Sequence, residues 1–582
     1  MRSRFRSTFA TAAVVAASTL IPASAVAQQY VNLPGTQPGD LDDATPLDAA
    51  GPCGTSCHFG RDANLMNTTF PYDGWLGSMM GNAMRDPLFR AALTIAEQDA
   101  PGVGDYCLRC HTPPGFVGGR TRSTRTAARG TELEVGDLDG VTCDACHRML
   151  ETPNPRNAQY VLSPSDTRFG PHSDIESIRH PGAVSTWLPD SRACGTCHSI
   201  TNPAQPLLRL DGSDTGQRFP LDTTYDEWAA SDFGRAGSTT IQTCQDCHMP
   251  RRGMPGFAAS NTTARMRENP RSHDLAGANA WMLRVLGAMR NDESNEFYDP
   301  DLAPFYETGA RRAEAMLRSA ATLELRDVPT RANPGAQITF SARITNLGGH
   351  RLPSGYADGR RMWLEVTLID GSGRETVVSG AYDRTEARLT ADPQLKLYEA
   401  HHGRNGMHGE HIALHNQVIK DTRIPPRGYR PAPGHEPVGA DYSGGEGGSL
   451  RHWDDARYTL TLPPGAQGAF TVRVRAQFQV TTREYVEFLE RENRTDDTGD
   501  ELLRLYNASG RAAPYTMVEA SSRLAVGNVT LLPDGGVATD TGSTTPQPGC
   551  NCATQSPARP TGATLAVLAG MLLAARPRRR RR

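Results

Sequence analysis

Lysine is nearly missing from this chain: Lys396 and Lys420 are the only two among 61 basic residues. The base composition of a GC-rich genome accounts for that bias toward arginine. Acidic side chains are missing from both ends. Arg2, Arg4 and Arg6 at the start, and Arg559, Arg576 and Arg578 to Arg582 at the finish, lie in acid-free segments. Without those arginines the formal net charge goes from −3 to about −13. So acidic a body argues against nucleic acid as a partner. Long hydrophobic runs are also lacking. The apolar stretch from Ala563 to Ala575 is shorter than the roughly 20 residues that a membrane-spanning helix needs.

What the ends do contain is addressing information. Three early arginines, an apolar run and Ala25-Val26-Ala27 read as a secretory signal peptide over residues 1–27. The mature chain then begins near Gln28, with a linker over 28–45, and folds outside the cytoplasm, where disulfides and covalent haem attachment are both possible. A chain of 582 residues has room for two to four domains. At the other end, "TDTGSTTPQP" reads as part of a polar, disordered linker over 531–549. The segment 550–582 follows, with Cys550 and Cys552, a short apolar run and an arginine cluster. It resembles the sorting tails of myxobacterial surface proteins. That resemblance implies temporary retention at the inner membrane, cleavage near the cysteine and delivery outward. A weak tail anchor that stays in place is the alternative.

Ten of the twelve cysteines fall in one repeated pattern. Cys107 and Cys110 precede His111, Cys143 and Cys146 precede His147, Cys194 and Cys197 precede His198, and Cys244 and Cys247 precede His248. "CGTSCH" is a looser copy, with Cys53 and Cys57 before His58. Covalent haem requires this arrangement. Two thiols add across the porphyrin vinyl groups, and the next residue offers an imidazole to the iron. Zinc knuckles give no reason for a histidine after every pair. Disulfides explain the even count but not the fixed spacing, and a redox dithiol would occur once. The expectation is five covalent haem c groups in a domain over 46–300, with short helices and long loops packed on porphyrin faces.

Candidates for the second axial ligand are His172 in "RFGPHSD", His180 in "IRHPGAV", His273 in "NPRSHDLAGAN" and His350 in "NLGGHRLPSG". His401, His402, His408, His411 and His415 crowd into one stretch. That crowding fits an axial ligand, a separate metal site or a solvated loop. Met79 and Met80 offer thioethers, with packing as the plainer role. A lysine-ligated haem of the kind found in pentahaem nitrite reductases has no support, because no motif ends in lysine.

"WLGSMMGNAMRDPLFRAAL", "YCLRCHTPPGF", "FGPHSD" and "TTYDEWAAS" with "CQDCHMP" resemble multihaem cytochromes of the cytochrome c554 superfamily, a group related to hydroxylamine oxidoreductase. The resemblance spans about residues 50–290 and implies electron transfer as the default. A minority of such proteins are enzymes acting on nitrogen compounds at one open haem.

The second half changes period. Residues 301–321 read as a connecting helix. Beyond it, "QITFSARITN", "MWLEVTLIDGSGRETVVSG" and "GAFTVRVRAQFQV" alternate apolar and polar residues, as half-buried antiparallel strands do. The expectation over 322–530 is an immunoglobulin-like β-sandwich interrupted by one or two helices in "REYVEFLERENRTDDTGDELLRLY". No cysteine lies there to hold haem. It would serve as a platform, a partner surface or a lid, with His350 reaching back to a haem. The chain as a whole is thus expected to be α+β and multidomain, a haem-packed, mostly α/coil half followed by antiparallel β. Redox partner proteins or an external electron acceptor are the implied partners, with the membrane contacted through the tail. The expected location is the periplasm, the outer membrane or the cell surface.

Overall fold

The computed structural model describes residues 33–63, 69–121, 133–261, 263–356, 358–532 and 537–539. The signal peptide and the sorting tail lie outside the described residues, as do residues 28–32 of the first linker and most of the second. Among the described residues no helix is long and apolar enough to cross a membrane.

The helices carry the cysteine motifs. The principal ones are, in order, α1 (Ala50–Cys53), α2 (Pro87–Asp99), α3 (Gly104–His111), α4 (Cys143–His147), α5 (Ser191–His198), α6 (Thr224–Ala229), α7 (Cys244–His248), α8 (Ala280–Asn291), α9 (Ala303–Ser319), α10 (Arg483–Glu492) and α11 (Thr498–Ala508). The principal strands are β1 (Ile200–Leu208), β2 (Asp214–Asp222), β3 (Ala321–Arg326), β4 (Gln337–Asn346), β5 (Arg361–Ile369), β6 (Leu397–Arg404), β7 (Gln417–Asp421), β8 (Trp453–Thr461), β9 (Gly468–Gln479) and β10 (Tyr515–Val526). The chain is α+β.

Two sheets enclose the largest apolar core. The broad one runs β2-β1-β7-β6-β5-β9-β10, with the short strand Arg331–Ala332 at its edge. The smaller runs β8-β4-β3. On β4, Ile338, Phe340, Ala342 and Ile344 are buried while their neighbours are less so, as period-2 alternation requires. They pack with Met362, Leu364 and Val366 of β5 and Val472 and Val474 of β9. β5 is buried along most of its length, with Met362, Leu364, Val366 and Leu368 on its core face, and it pairs with β6 and β9 at its two edges.

Two features differ from the sequence reading. The first half contributes a hairpin, β1–β2, that joins the broad sheet through Leu208 opposite Gln417. Alternation over those residues is broken by Pro206 and Pro220, which hides the strands from a periodicity reading. The interrupting segment is two helices, α10 and α11, and they fold back onto α2. There Tyr485, Leu489, Leu502 and Tyr506 pack with Ala91 and Ile95. Elsewhere in the first half the buried apolar residues form small separate clusters. Several of them abut motif cysteines: Cys110 and Cys197, Cys107, and Cys143.

Candidate haem-binding centre

A strict Cys-x-x-Cys-His places its three side chains at i, i+3 and i+4, on one face of a single helical turn. α3, α4, α5 and α7 all end on their histidine, so each presents two sulfurs and one imidazole together. The looser motif faces a problem, because i, i+4 and i+5 diverge on an α-helix. The chain solves it with a π-helical turn over Gly54–His58, whose wider pitch absorbs the extra residue. Cys53, Cys57 and His58 thereby regain the shared face. None of these ten cysteines is in a disulfide.

All fifteen motif side chains line one connected cavity of about 1890 Å³. A pocket for one ordinary small ligand is roughly 300–1,000 Å³. This space is larger and is walled mainly by apolar groups, which suits several flat, apolar macrocycles.

The proximal histidines are fixed by their other ring nitrogen. Nδ1 of His58, His147 and His248 each donates to a backbone carbonyl at 2.7 Å, those of Ala258, Phe169 and Ala276. His111 Nδ1 reaches Ala83 O at 3.3 Å. Such a bond holds the tautomer that leaves Nε2 free for a metal. Burial pushes His58, His147 and His248 below the usual histidine range, and His111 down to about 4, so the neutral ligand form prevails. His198 is the exception. Its Nδ1 faces the Asp222 carboxylate at 3.4 Å. Burial would lower its pKa, but Asp222 overrides and pushes it up to about 9. Nothing in "FPLDTTYDEW" marks Asp222 in advance.

Metal–imidazole bonds are about 2.0–2.1 Å and each nitrogen lies about 1.1 Å from its ring centre, so two imidazoles on opposite sides of one ion have centroids about 6.3 Å apart. Three histidine pairs stand at that spacing: His58 with His180 at 6.5 Å, His147 with His273 at 6.2 Å and His248 with His350 at 6.3 Å. Their planes are within 27° of parallel. The structure thus brings His180, His273 and His350 to three motif histidines from distant parts of the sequence. It does not bring His172, which is exposed and interacts with Arg267 and Asp174 instead. Among the described residues no second imidazole stands at that spacing from His111, which lies flat against Phe89, or from His198.

The crowded histidines are divided among other partners. His411 Nδ1 meets Asp99 at 2.8 Å, His401 meets Glu399 and His408, and His402 and His415 turn inward to Asp358. Met79 packs against the α8–α9 cluster.

Contacts between motifs order them in space. The thiols of Cys53 and Cys143 lie within hydrogen-bonding reach of each other, as do Cys110 with Cys197 and Cys194 with Cys244. Cys146 lies near enough to Cys194 and Cys197 to interact with them electrostatically. α5 is therefore the hub, reaching α3 and α7 through its cysteines and lying near α4.

Buried arginines tie the segment ahead of the first motif to the others. Arg109 donates to the carbonyls of Leu33, Pro34 and Thr36, and Arg148 to those of Thr45, Pro46 and Ser163. A guanidinium fork can serve several carbonyls at once, which an ammonium cannot do in a fixed plane.

No protein-family model matches this chain, and no curated protein matches it. Among solved structures it is similar to a penta-haem cytochrome c552 from Thermochromatium tepidum. That likeness covers 80% of this chain and 99% of the other at 16% identity, with a TM-score of 0.46. Slighter likenesses link it to the alkylpurine DNA glycosylase AlkC of Pseudomonas fluorescens (10% identity, 42% of each chain, TM-score 0.14) and to the sporulation control protein Spo0M of Bacillus subtilis (10% identity, 36% of this chain and 49% of the other, TM-score 0.11). At these TM-scores none of the three decides fold or function.

Proposed function

We propose that this protein is a multihaem c-type cytochrome that passes electrons between redox partners. It would act outside the cytoplasm, in the periplasm or at the outer membrane or cell surface, reached through its sorting tail. The observation that carries the reading is the spacing of His58–His180, His147–His273 and His248–His350, each suited to hold one ion between two imidazoles. The ten motif cysteines would attach five haems, and His58, His111, His147, His198 and His248 would be the proximal ligands. Haem iron held in this way supplies reversible one-electron oxidation and reduction. The polypeptide keeps four of the five proximal imidazoles neutral, holds them in orientation, excludes water with apolar walls, and brings attachment points together through α5. Electron paramagnetic resonance of the purified protein tests the reading. Three or more low-spin centres are expected; a protein with no low-spin iron would refute it.

A second reading is an enzyme acting on a small nitrogen compound. It is favoured by His111 and His198, for which no second imidazole is found among the described residues. It is favoured also by a cavity wall carrying Tyr356, Arg360 and Tyr485. Arg360 Nε is buried there without a hydrogen-bond partner. A high-spin signal that shifts on adding nitrite or hydroxylamine supports this reading, and a spectrum indifferent to both removes it.

A further inference from the structure

Asp358, His402 and His415 come from three separate places: the loop before β5, the middle of β6 and the turn before β7. All three are buried, and each offers a donor atom within 4.8 Å of the others. The local bonding fixes which atoms face inward. The His402 backbone N–H donates to Asp358 Oδ1 at 3.1 Å, which turns Oδ2 toward both rings. Oδ2 is 2.9 Å from His402 Nδ1 and 3.8 Å from His415 Nδ1. His415 Nε2 donates to the Gly409 carbonyl at 2.6 Å, so its Nδ1 carries a bare lone pair. That nitrogen is buried without a hydrogen-bond partner and is aimed at a carboxylate oxygen, which also brings only lone pairs. Two acceptors facing each other in a buried site call for a cation between them.

We propose that Asp358, His402 and His415 form a mononuclear site for a borderline divalent transition-metal ion of the zinc type. Two imidazole nitrogens and one carboxylate oxygen are the donor set that such ions accept. In a tetrahedral site with bonds of about 2.0–2.1 Å, donor atoms lie about 3.4 Å apart. The separations of 2.9 and 3.8 Å from Asp358 bracket that value, and all three donor atoms lie within 4.8 Å of one another. On binding, the proton between His402 Nδ1 and Asp358 moves to Nε2 of the same ring, and the metal takes its place. Gly409 already orients His415 in the way outer-shell carbonyls orient ligating histidines. Phe219 packs edge-on against both rings, at 5.2 Å from His402 and 5.8 Å from His415, and closes one side. Asp358 also lines the large cavity, so a fourth coordination position would face that side. The site is independent of the haem reading, since none of its ligands is a motif residue.

The full exported protein is stripped with EDTA, desalted and titrated with Zn²⁺, and bound zinc is counted by elemental analysis. One tightly held zinc per chain is expected. D358N and H415A should each weaken it by at least ~100-fold, the top of the range that even outer-shell partners supply. H408A, at the exposed His408 beside His401, should bind as the unaltered protein does. Should either inner variant fail to fold, anomalous diffraction at the zinc edge from crystals of the unaltered protein locates the ion. A peak among Asp358, His402 and His415 supports the proposal. Substoichiometric zinc, loss of binding in H408A alone, or a peak elsewhere overturns it.

Discussion

Arg351 Nη1 lies 3.0 Å from Oε1 of Glu227, and its backbone N–H donates to Oε2 of the same carboxylate at 2.8 Å. Both side chains are buried, and Arg423 and Asp421 complete the cluster. The residue before Arg351 is His350, so this pair fixes the loop that carries an imidazole from the β-sandwich to His248. Removing one partner strands a buried charge, which costs about 3–5 kcal/mol. Glu227→Ala is expected to lose that much stability in chemical denaturation. It should also turn the centre at His248 from low-spin to high-spin. Full stability with an unchanged spectrum would show that the ion pair does not hold the loop.

Ligand choice gives a sharper contrast. His273→Ala should convert one low-spin centre to high-spin, because its ring is the one paired with His147. His172→Ala should leave the spectrum alone. Equal effects at the two sites would contradict the assignment.

Intact mass decides the count. The mature protein is expected to exceed its polypeptide by five haem masses, and the Cys53→Ala/Cys57→Ala double variant by four. If the π-helical turn at Gly54–His58 carries no haem, both forms will show four.

Asp222 should tune a single centre. A carboxylate beside Nδ1 makes an imidazole a stronger donor and stabilises the more positive, oxidised iron. Asp222→Asn is therefore expected to move one reduction potential in a spectroelectrochemical titration to a more positive value. A negative shift, or none, would disconnect Asp222 from the iron at His198.

Both lysines sit in ion pairs, Lys396 with Asp454 at 2.7 Å and Lys420 with Glu399 at 2.8 Å. Burial alone would raise the Glu399 pKa, but His401 and Lys420 outweigh it and bring it to about 2 from an ordinary 4.5. A carboxyl held lower in the folded state contributes stability that is fully present above about pH 4.5 and fades as pH falls toward 2. With the partial exposure of Lys420 and His401 discounted, the contribution is on the order of 2 kcal/mol. Glu399→Gln should lose about that much at neutral pH and show a flatter acid limb. Parallel stability curves for the two proteins would deny the linkage.

The helical turns that carry the Cys-x-x-Cys-His motifs were legible because their pattern is local. Two thiols and an imidazole within one helical turn are specified by spacing alone, and the alternation of β4, β5 and β9 is equally local. The tertiary structure decided what spacing cannot encode. His180, His273 and His350 face their motif partners across separations of about a hundred residues, while His172, in similar company in the sequence, is paired with no motif histidine among the described residues. Asp222, the contact between Arg351 and Glu227, and the meeting of Asp358 with His402 and His415 all depend on how loops close over the sheets. No periodic signal marks such residues, because each is chosen by one partner that only the folded chain brings near.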